Sequence, residues 1–308
     1  MITVVDPGPL TSVQDPGGRT GWRKYGVPVG GAADAWSARL ANLLVGNREE
    51  AACLEITLGA ATLRLDAPAI VAVCGGVTAA IDGLPLPPVE ARPVRDGATI
   101  AIGFGDGARG YLAVGGGIEV PPVLGGRGTD LRARFGGHEG RALRPGDLLG
   151  NGTHTGRPAR WSGRRPDGPI RLVSGPHPDA LEQLASGEWA VATEADRAGV
   201  RLDGPPINGG ETASMGLPLG TIQVPPDGRP IVMLADRPVT GGYRVPACVI
   251  GADVGRLAQL RTGDAVRFEV VALDDARNAW REAEDALHAL EPGDAGDDES
   301  LRWTGAHG

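Results

Sequence analysis

Lysine is nearly missing from this chain: its 30 Lys and Arg residues include a single lysine, Lys24. A P-loop needs Gly-Lys-Ser/Thr so that the ammonium can reach the terminal phosphates, and Lys24 stands between Arg23 and Tyr25, so no P-loop is present. Covalent biotin also needs a lysine, in a short Met-Lys-Met-like turn. Met215 and Met233 have none beside them, so no covalent biotin is expected on this chain. Cysteine is scarce as well. Cys53, Cys74 and Cys248 lie far apart with no C-x-x-C, which argues against a disulfide framework or zinc knuckle and for a reducing compartment. The five histidines (His138, His154, His177, His288, His307) show no i,i+4 pairing and no H-E-x-x-H, so no metal is predicted. Long apolar runs are absent too. The longest uncharged stretches, Ala67–Ile81 and Thr212–Pro226, are broken by Gly-Gly or proline and fall short of the ~20 apolar residues of a membrane helix. The opening MITVVDPGPL lacks the basic and apolar regions of a signal peptide. A cytoplasmic protein with no membrane partner is expected. Excess positive charge is likewise lacking: the net charge is -8, which does not suit the counterion release that drives nucleic-acid binding.

What the chain has in quantity is turn residues, 50 Gly and 26 Pro in 308, mixed into a sequence that is 41% hydrophobic. Many turns in an apolar chain predict β-structure. Short apolar runs bounded by Gly or Pro read as strands at Ala61–Leu65, Ala69–Val73, Thr99–Gly103, Gly110–Val114, Ile170–Val173, Pro230–Leu234 and Ala265–Val271. Three helices are predicted. Ala33–Val45 has an apolar stripe of Trp36, Leu40, Leu43 and Leu44; Pro178–Ser186 begins with Pro; Ala276–Leu290 places Trp280, Ala283, Leu287 and Leu290 on one face. After it, EPGDAGDDES reads as a disordered acidic tail. Gly117-Ile-Glu-Val-Pro-Pro is echoed by Thr221-Ile-Gln-Val-Pro-Pro, and Leu143-Arg-Pro-Gly-Asp by Leu260-Arg-Thr-Gly-Asp, with a third such box at Val94-Arg-Asp-Gly. Each box predicts a tight turn whose Gly takes a positive φ. The echo reads either as turns common to any β-protein or as two related β-domains joined through Arg157–Gly168, a Pro/Gly/Arg-rich linker. The expected division is 1–160, 168–272 and a C-terminal helix with its tail, 273–308.

Chemistry-bearing motifs are few. Gly105-Asp-Gly-Ala-Arg-Gly110 resembles a dinucleotide fingerprint only in spacing; it precedes an apolar run rather than a helix and reads as a hairpin turn. There is no G-x-S-x-G elbow. What remains is a set of polar residues in Gly-rich turns. Gln14, Asp15 and Arg19 share one loop, and Asp34 stands where it would cap the first helix. Asn42, a poor helix former inside that helix, invites a specific hydrogen bond. Asp236, Thr240 and Tyr243 share a second polar turn, closed by Gly241-Gly242.

Through residues 2–271 the chain resembles the allophanate hydrolase subunit 2 family. The resemblance is carried by GPLTSVQDPGGRTGWRKYGVPVGGAADAWSARLANLLVGN, LEITLGAATLRL, GYLAVGGGIEVPPVLGGRGTDL, LRPGDLL and GTIQVPPDGRPIVMLADRPVTGGYRVPACVIGADVGRLAQLRTGDAVRFEVV, in order. It departs from the family pattern at Ala33 in Gly31-Ala-Ala-Asp34, at Met215 and at Arg244. The resemblance implies a mainly β fold of two cyclophilin-like β-barrel domains with a few short helices. It also implies a component of ATP-dependent 5-oxoprolinase that works with subunits A and B to open 5-oxo-L-proline to L-glutamate. ATP would then serve in the complex. The family also implies two alternatives: half of a biotin-dependent carboxyltransferase acting on urea or a related amide, and a KipA-type regulator that binds its B-type partner without turnover. On the 5-oxoprolinase reading Arg19 clamps an anion, and Gln14, Asn42, Gln223 and Thr240 hold substrate. Asp15, Asp34 or Asp236 orients a proton or water, and Tyr243 donates to an oxyanion.

Overall fold

A computed structural model describes residues 1–154 and 156–293. The fold is mainly β. A seven-stranded sheet runs in the order Ile118–Glu119, Leu148–Asn151, Ile2–Asp6, Ala61–Leu65, Thr99–Phe104, Val77–Ile81 and Leu84–Pro85. It faces a five-stranded sheet of Leu10–Gln14, Cys53–Thr57, Arg109–Val114, Ala69–Gly75 and Arg92–Val94. Alternate side chains meet between the two sheets: Ile2, Val4, Leu63 and Ile100 from one, Val13, Leu54, Ile56 and Leu112 from the other, all fully buried. Period-2 alternation sends their neighbours to the far face of the five-stranded sheet. There Cys53, Ala72, Cys74, Tyr111 and Ala113 pack under helix α1 (Ala35–Leu44), through Ala38, Leu40, Ala41 and Leu44.

The rest of the chain builds a nine-stranded sheet. Its ladder begins at Ala265–Val266 and ends at Phe268–Val270, two strands separated only by Arg267, so the sheet curls into a nearly closed barrel. The barrel core holds Leu172, Val200, Leu202, Ile222, Val224, Val232, Ala247 and Val249. Helices α2 (Leu181–Ser186) and α3 (Gly251–Ala258) contribute Leu184, Val254 and Leu257 to it. Helix α4 (Leu273–Leu287) packs on α3.

The predicted strands are present, with two revisions. The run Ala265–Val271 is split at Arg267, because its halves pair with opposite ends of the barrel sheet. The turn at Gly105–Gly110 is not a hairpin: Thr99–Phe104 belongs to the seven-stranded sheet and Arg109–Val114 to the five-stranded one. At that crossing Gly107 N donates to Gly76 O at 2.8 Å. Helix α3 was not predicted; Gly251 and Gly255 weaken its propensity, and burial of Val254 and Leu257 stabilises it instead. In α4 the buried stripe is Ala279, Ala283 and Leu287, whereas Trp280 is half exposed and lies over Gly251. The predicted linker is anchored. Ala159–Trp161 pairs with Leu290–Pro292, so Glu291 and Pro292 form a strand where an unstructured tail was expected. The remainder of that tail, 294–308, lies outside the described residues. All three echoed boxes make the expected turn, with Gly97, Gly146 and Gly263 at φ 76°, 89° and 87°. Asp147 accepts from Arg144 N and Asp264 from Arg261 N, both at 2.8 Å.

Candidate functional site

The far face of the five-stranded sheet is polar where α1 does not cover it. Register places Leu10 beside Thr57 and Thr57 beside Arg109, then Ser12 beside Glu55 and Glu55 beside Tyr111. Alternation therefore lines up Ser12, Gln14, Glu55, Thr57, Arg109 and Tyr111 on one surface, facing the barrel.

Buried charges join the two halves there. Arg197, on the turn before the barrel strand Gly199–Asp203, grips Asp236 through Nε–Oδ2 (2.8 Å) and Nη2–Oδ1 (3.0 Å). The same guanidinium donates to Gly31 O at 2.6 Å and to Glu55 Oε1. Glu55 Oε2 accepts from Tyr111 Oη (2.9 Å) and Ala33 N (2.8 Å), and Tyr111 Oη accepts from Asp34 N (2.8 Å). Burial pushes the Glu55 carboxyl up, but the guanidiniums of Arg197 and Arg109 outweigh it and hold it below the usual range. Asp236 differs. Burial raises it, and Arg197's pull is partly cancelled by the Glu55 and Asp130 carboxylates, so it stays above the usual range.

Beside this relay lies a cleft of about 690 Å³ between the halves, within the ~300–1,000 Å³ of small-molecule sites. Arg109, Arg197 and Asp236 form part of its lining, with Asp130 and Arg132 on one loop and Thr240 on another. A carboxyl raised by burial next to a saturated guanidinium holds a proton more readily than a free one, and the remaining arginines can hold an anion.

The structure brings some of the predicted residues together and separates others. Asp236 and Thr240 line the cleft. Arg19 lies behind it, fully buried, donating to Val123 O (3.2 Å) and Gly128 O and stacking over Phe135 at 4.5 Å. Burial lowers its pKa despite nearby Asp15, Asp130 and Asp236. Its Nη1 and Asp236 Oδ1 both face Gly30. Gln14 and Asp15 adjoin Arg19 around Gly128, where a Cβ would stand 2.5 Å from Gln14 Oε1 and 3.1 Å from Asp15 Oδ1. Those two oxygens and Arg19 Nη1 are buried without partners among the described residues.

Asp34 and Asn42 do other work. Asp34 caps α1 through Ser37 N (3.3 Å) and receives Arg165 bidentately (2.7 and 2.9 Å) and Gln259 (2.9 Å), so its acceptors are taken by a strut between the halves. Asn42 donates to Glu49 O and Ala51 O, fixing the segment after α1. Gln223 is buried against Gly241, and Tyr243 is 37% exposed on the long strand Thr240–Val249; neither is in the cleft lining. Of the departures from the family pattern, Met215 pairs with Gly241 and Arg244 forms an ion pair with Asp179. Glu55, Arg109, Asp130 and Arg197 were not singled out from the sequence. A charge inside the apolar strand CLEIT was the available signal for Glu55; Arg197, in TEADRAGV, carries none.

The chain belongs to the carboxyltransferase domain family, subdomains A and B, which matches residues 25–270. Among curated relatives, the 5-oxoprolinase C component of Escherichia coli (strain K12) is 36% identical over 297 residues, 91% of this chain and 94% of that protein. The crystal structure of TTHA0988 matches with a TM-score of 0.81 at 41% identity, over 87% of this chain and 55% of that one. The K. lactis urea amidolyase structure matches with a TM-score of 0.86 at 29% identity; 97% of this chain is covered but only 20% of that one.

Proposed function

We propose that this chain is the C component of an ATP-dependent 5-oxoprolinase, opening 5-oxo-L-proline to L-glutamate with subunits A and B. The observation that carries the reading is the near end-to-end match, in both directions, to a protein named for that role. The urea amidolyase match uses a fifth of a much longer protein.

A lactam is a resonance-stabilised amide and a poor electrophile. Transfer of the γ-phosphoryl group of ATP to its oxygen releases ADP and activates the carbonyl carbon. Water adds there, the C–N bond breaks as the ring nitrogen takes a proton, and a second water hydrolyses the resulting γ-glutamyl phosphate to L-glutamate and phosphate. ATP is a substrate of the complex, and no lysine-bearing phosphate loop of this chain is assigned to it. On this chain Asp236 moves the proton, with its carboxyl fixed by the Arg197 fork. Thr240 contacts substrate at the cleft wall. Gln14, Asp15 and Arg19 form a buried polar wall behind it and act on the cleft through their charges and dipoles. Asp34 and Asn42 support the scaffold.

The test is glutamate release from 5-oxoproline and ATP by this chain co-expressed with its A and B partners, with each chain omitted in turn and no biotin. Glutamate that requires all three establishes the reading. A stable complex that forms none, but fixes bicarbonate on an amide once a biotin carrier is added, moves the assignment to carboxyl transfer. A tight complex with no turnover of either kind makes the chain a regulator.

A further inference from the structure

One cation in the cleft, Arg109, has a donor with no acceptor among the described residues. Arg109 begins the strand Arg109–Val114 beside Thr57 and is 6% exposed. Its Nη1 donates to Ala258 O, but its Nε is buried with no partner among the described residues. Among the described residues Arg109 forms no ion pair. The acid that feels its charge, Glu55, has both oxygens engaged by Arg197, Tyr111 and Ala33 N. Arg197 contrasts with it, every nitrogen being matched to an acceptor. A buried guanidinium with an unmet donor is costly unless a ligand supplies the acceptor. Arg132 stands in the same lining, exposed, on a loop fixed by Asp130 Oδ1, which accepts from Arg132 N (3.1 Å) and Ala133 N (2.8 Å). Leu10, Pro28, Pro238 and Val239 add an apolar wall.

We infer that Arg109, aided by Arg132, is the specificity-determining group of the cleft: it binds the carboxylate of a small ligand whose short ring or chain packs on the apolar wall. The choice of ligand rests on the 5-oxoprolinase reading, while the carboxylate preference rests on Arg109 itself. A carboxylate supplies the planar acceptor pair that a guanidinium fork matches. A site built around such a donor discriminates against a neutral isostere more strongly than an apolar pocket does.

Calorimetric titration of the purified complex, and of the chain alone, with 5-oxo-L-proline and its uncharged primary amide tests this. The wild type should prefer the acid by at least about tenfold, and Arg109→Gln should lose about tenfold in affinity for the acid while binding the amide within about threefold. An acid-to-amide ratio unchanged in Arg109→Gln, or a wild type that binds neither probe, overturns the inference. If Arg109→Gln does not fold, Arg132→Gln, exposed on its loop, reads the same ratio, and no change there overturns it as well. Arg109-dependent acid binding without glutamate release would sink the 5-oxoprolinase reading and keep the subsite; glutamate release with an unchanged ratio would do the reverse.

Discussion

Asp236 and Glu55 are both buried carboxyls on Arg197, yet they are held on opposite sides of the usual range. The difference is what else each one touches. Glu55 has two further donors and a second guanidinium in its field, whereas for Asp236 the pull of Arg197 is opposed by burial and by two repelling carboxylates. Asp236→Asn is therefore expected to lower kcat of the complex by about 10²–10⁴-fold; because it also removes one of Arg197's two counter-charges, kcat is read at a temperature where the far-UV spectrum shows the variant folded. Glu55→Gln should leave Arg197 without half its counter-charge and cost about 3–5 kcal/mol in urea unfolding; a loss below about 1 kcal/mol would show that the relay is not structural. Asp236 was legible in the sequence because it sits in a polar turn closed by glycines. Arg197 was not, since its role exists only once Glu55, some 140 positions earlier, is brought to it by strand register.

At the scale of elements, capping and turn chemistry were read correctly where the cause is local. Asp34 caps α1, and the glycines of all three echoed boxes take positive φ. Errors arose where the cause is distant: the glycine-bearing α3 is a helix because a barrel core receives Val254 and Leu257, and Glu291-Pro292 is a strand because Ala159–Trp161 waits beside it. Helix α4 is tied to the first half by Arg39, which forks onto Glu284 at 2.7 Å twice, and by His288, whose Nε2 lies 2.7 Å from Glu49. The hydrogen bond to Glu49 raises the His288 pKa. A pKa raised on folding contributes stability that is whole below the unfolded value of 6.5 and disappears as pH climbs through the folded one. Thermal melts from about pH 6 to about pH 9 should show a larger fall in Tm for the wild type than for His288→Gln; parallel curves would mean that the contact does not form in solution.

The described residues form three hydrophobic clusters, one between the two sheets, one under α1 and one in the barrel, with charge where the halves meet. Buried polar contacts cross the seam: Arg197 to Glu55 and Gly31, Arg165 and Gln259 to Asp34, Arg109 to Ala258. Separate cores alone would let each half melt at its own temperature. With this wiring, opening one half strands Glu55 or Asp34 with no counter-ion and leaves Arg197 with Asp236 alone. Scanning calorimetry should consequently give a single heat-absorption peak whose calorimetric and van't Hoff enthalpies stand in a ratio of about 1. Arg197→Met should split it into two, turning one cooperative unit into a pair of independently melting bodies.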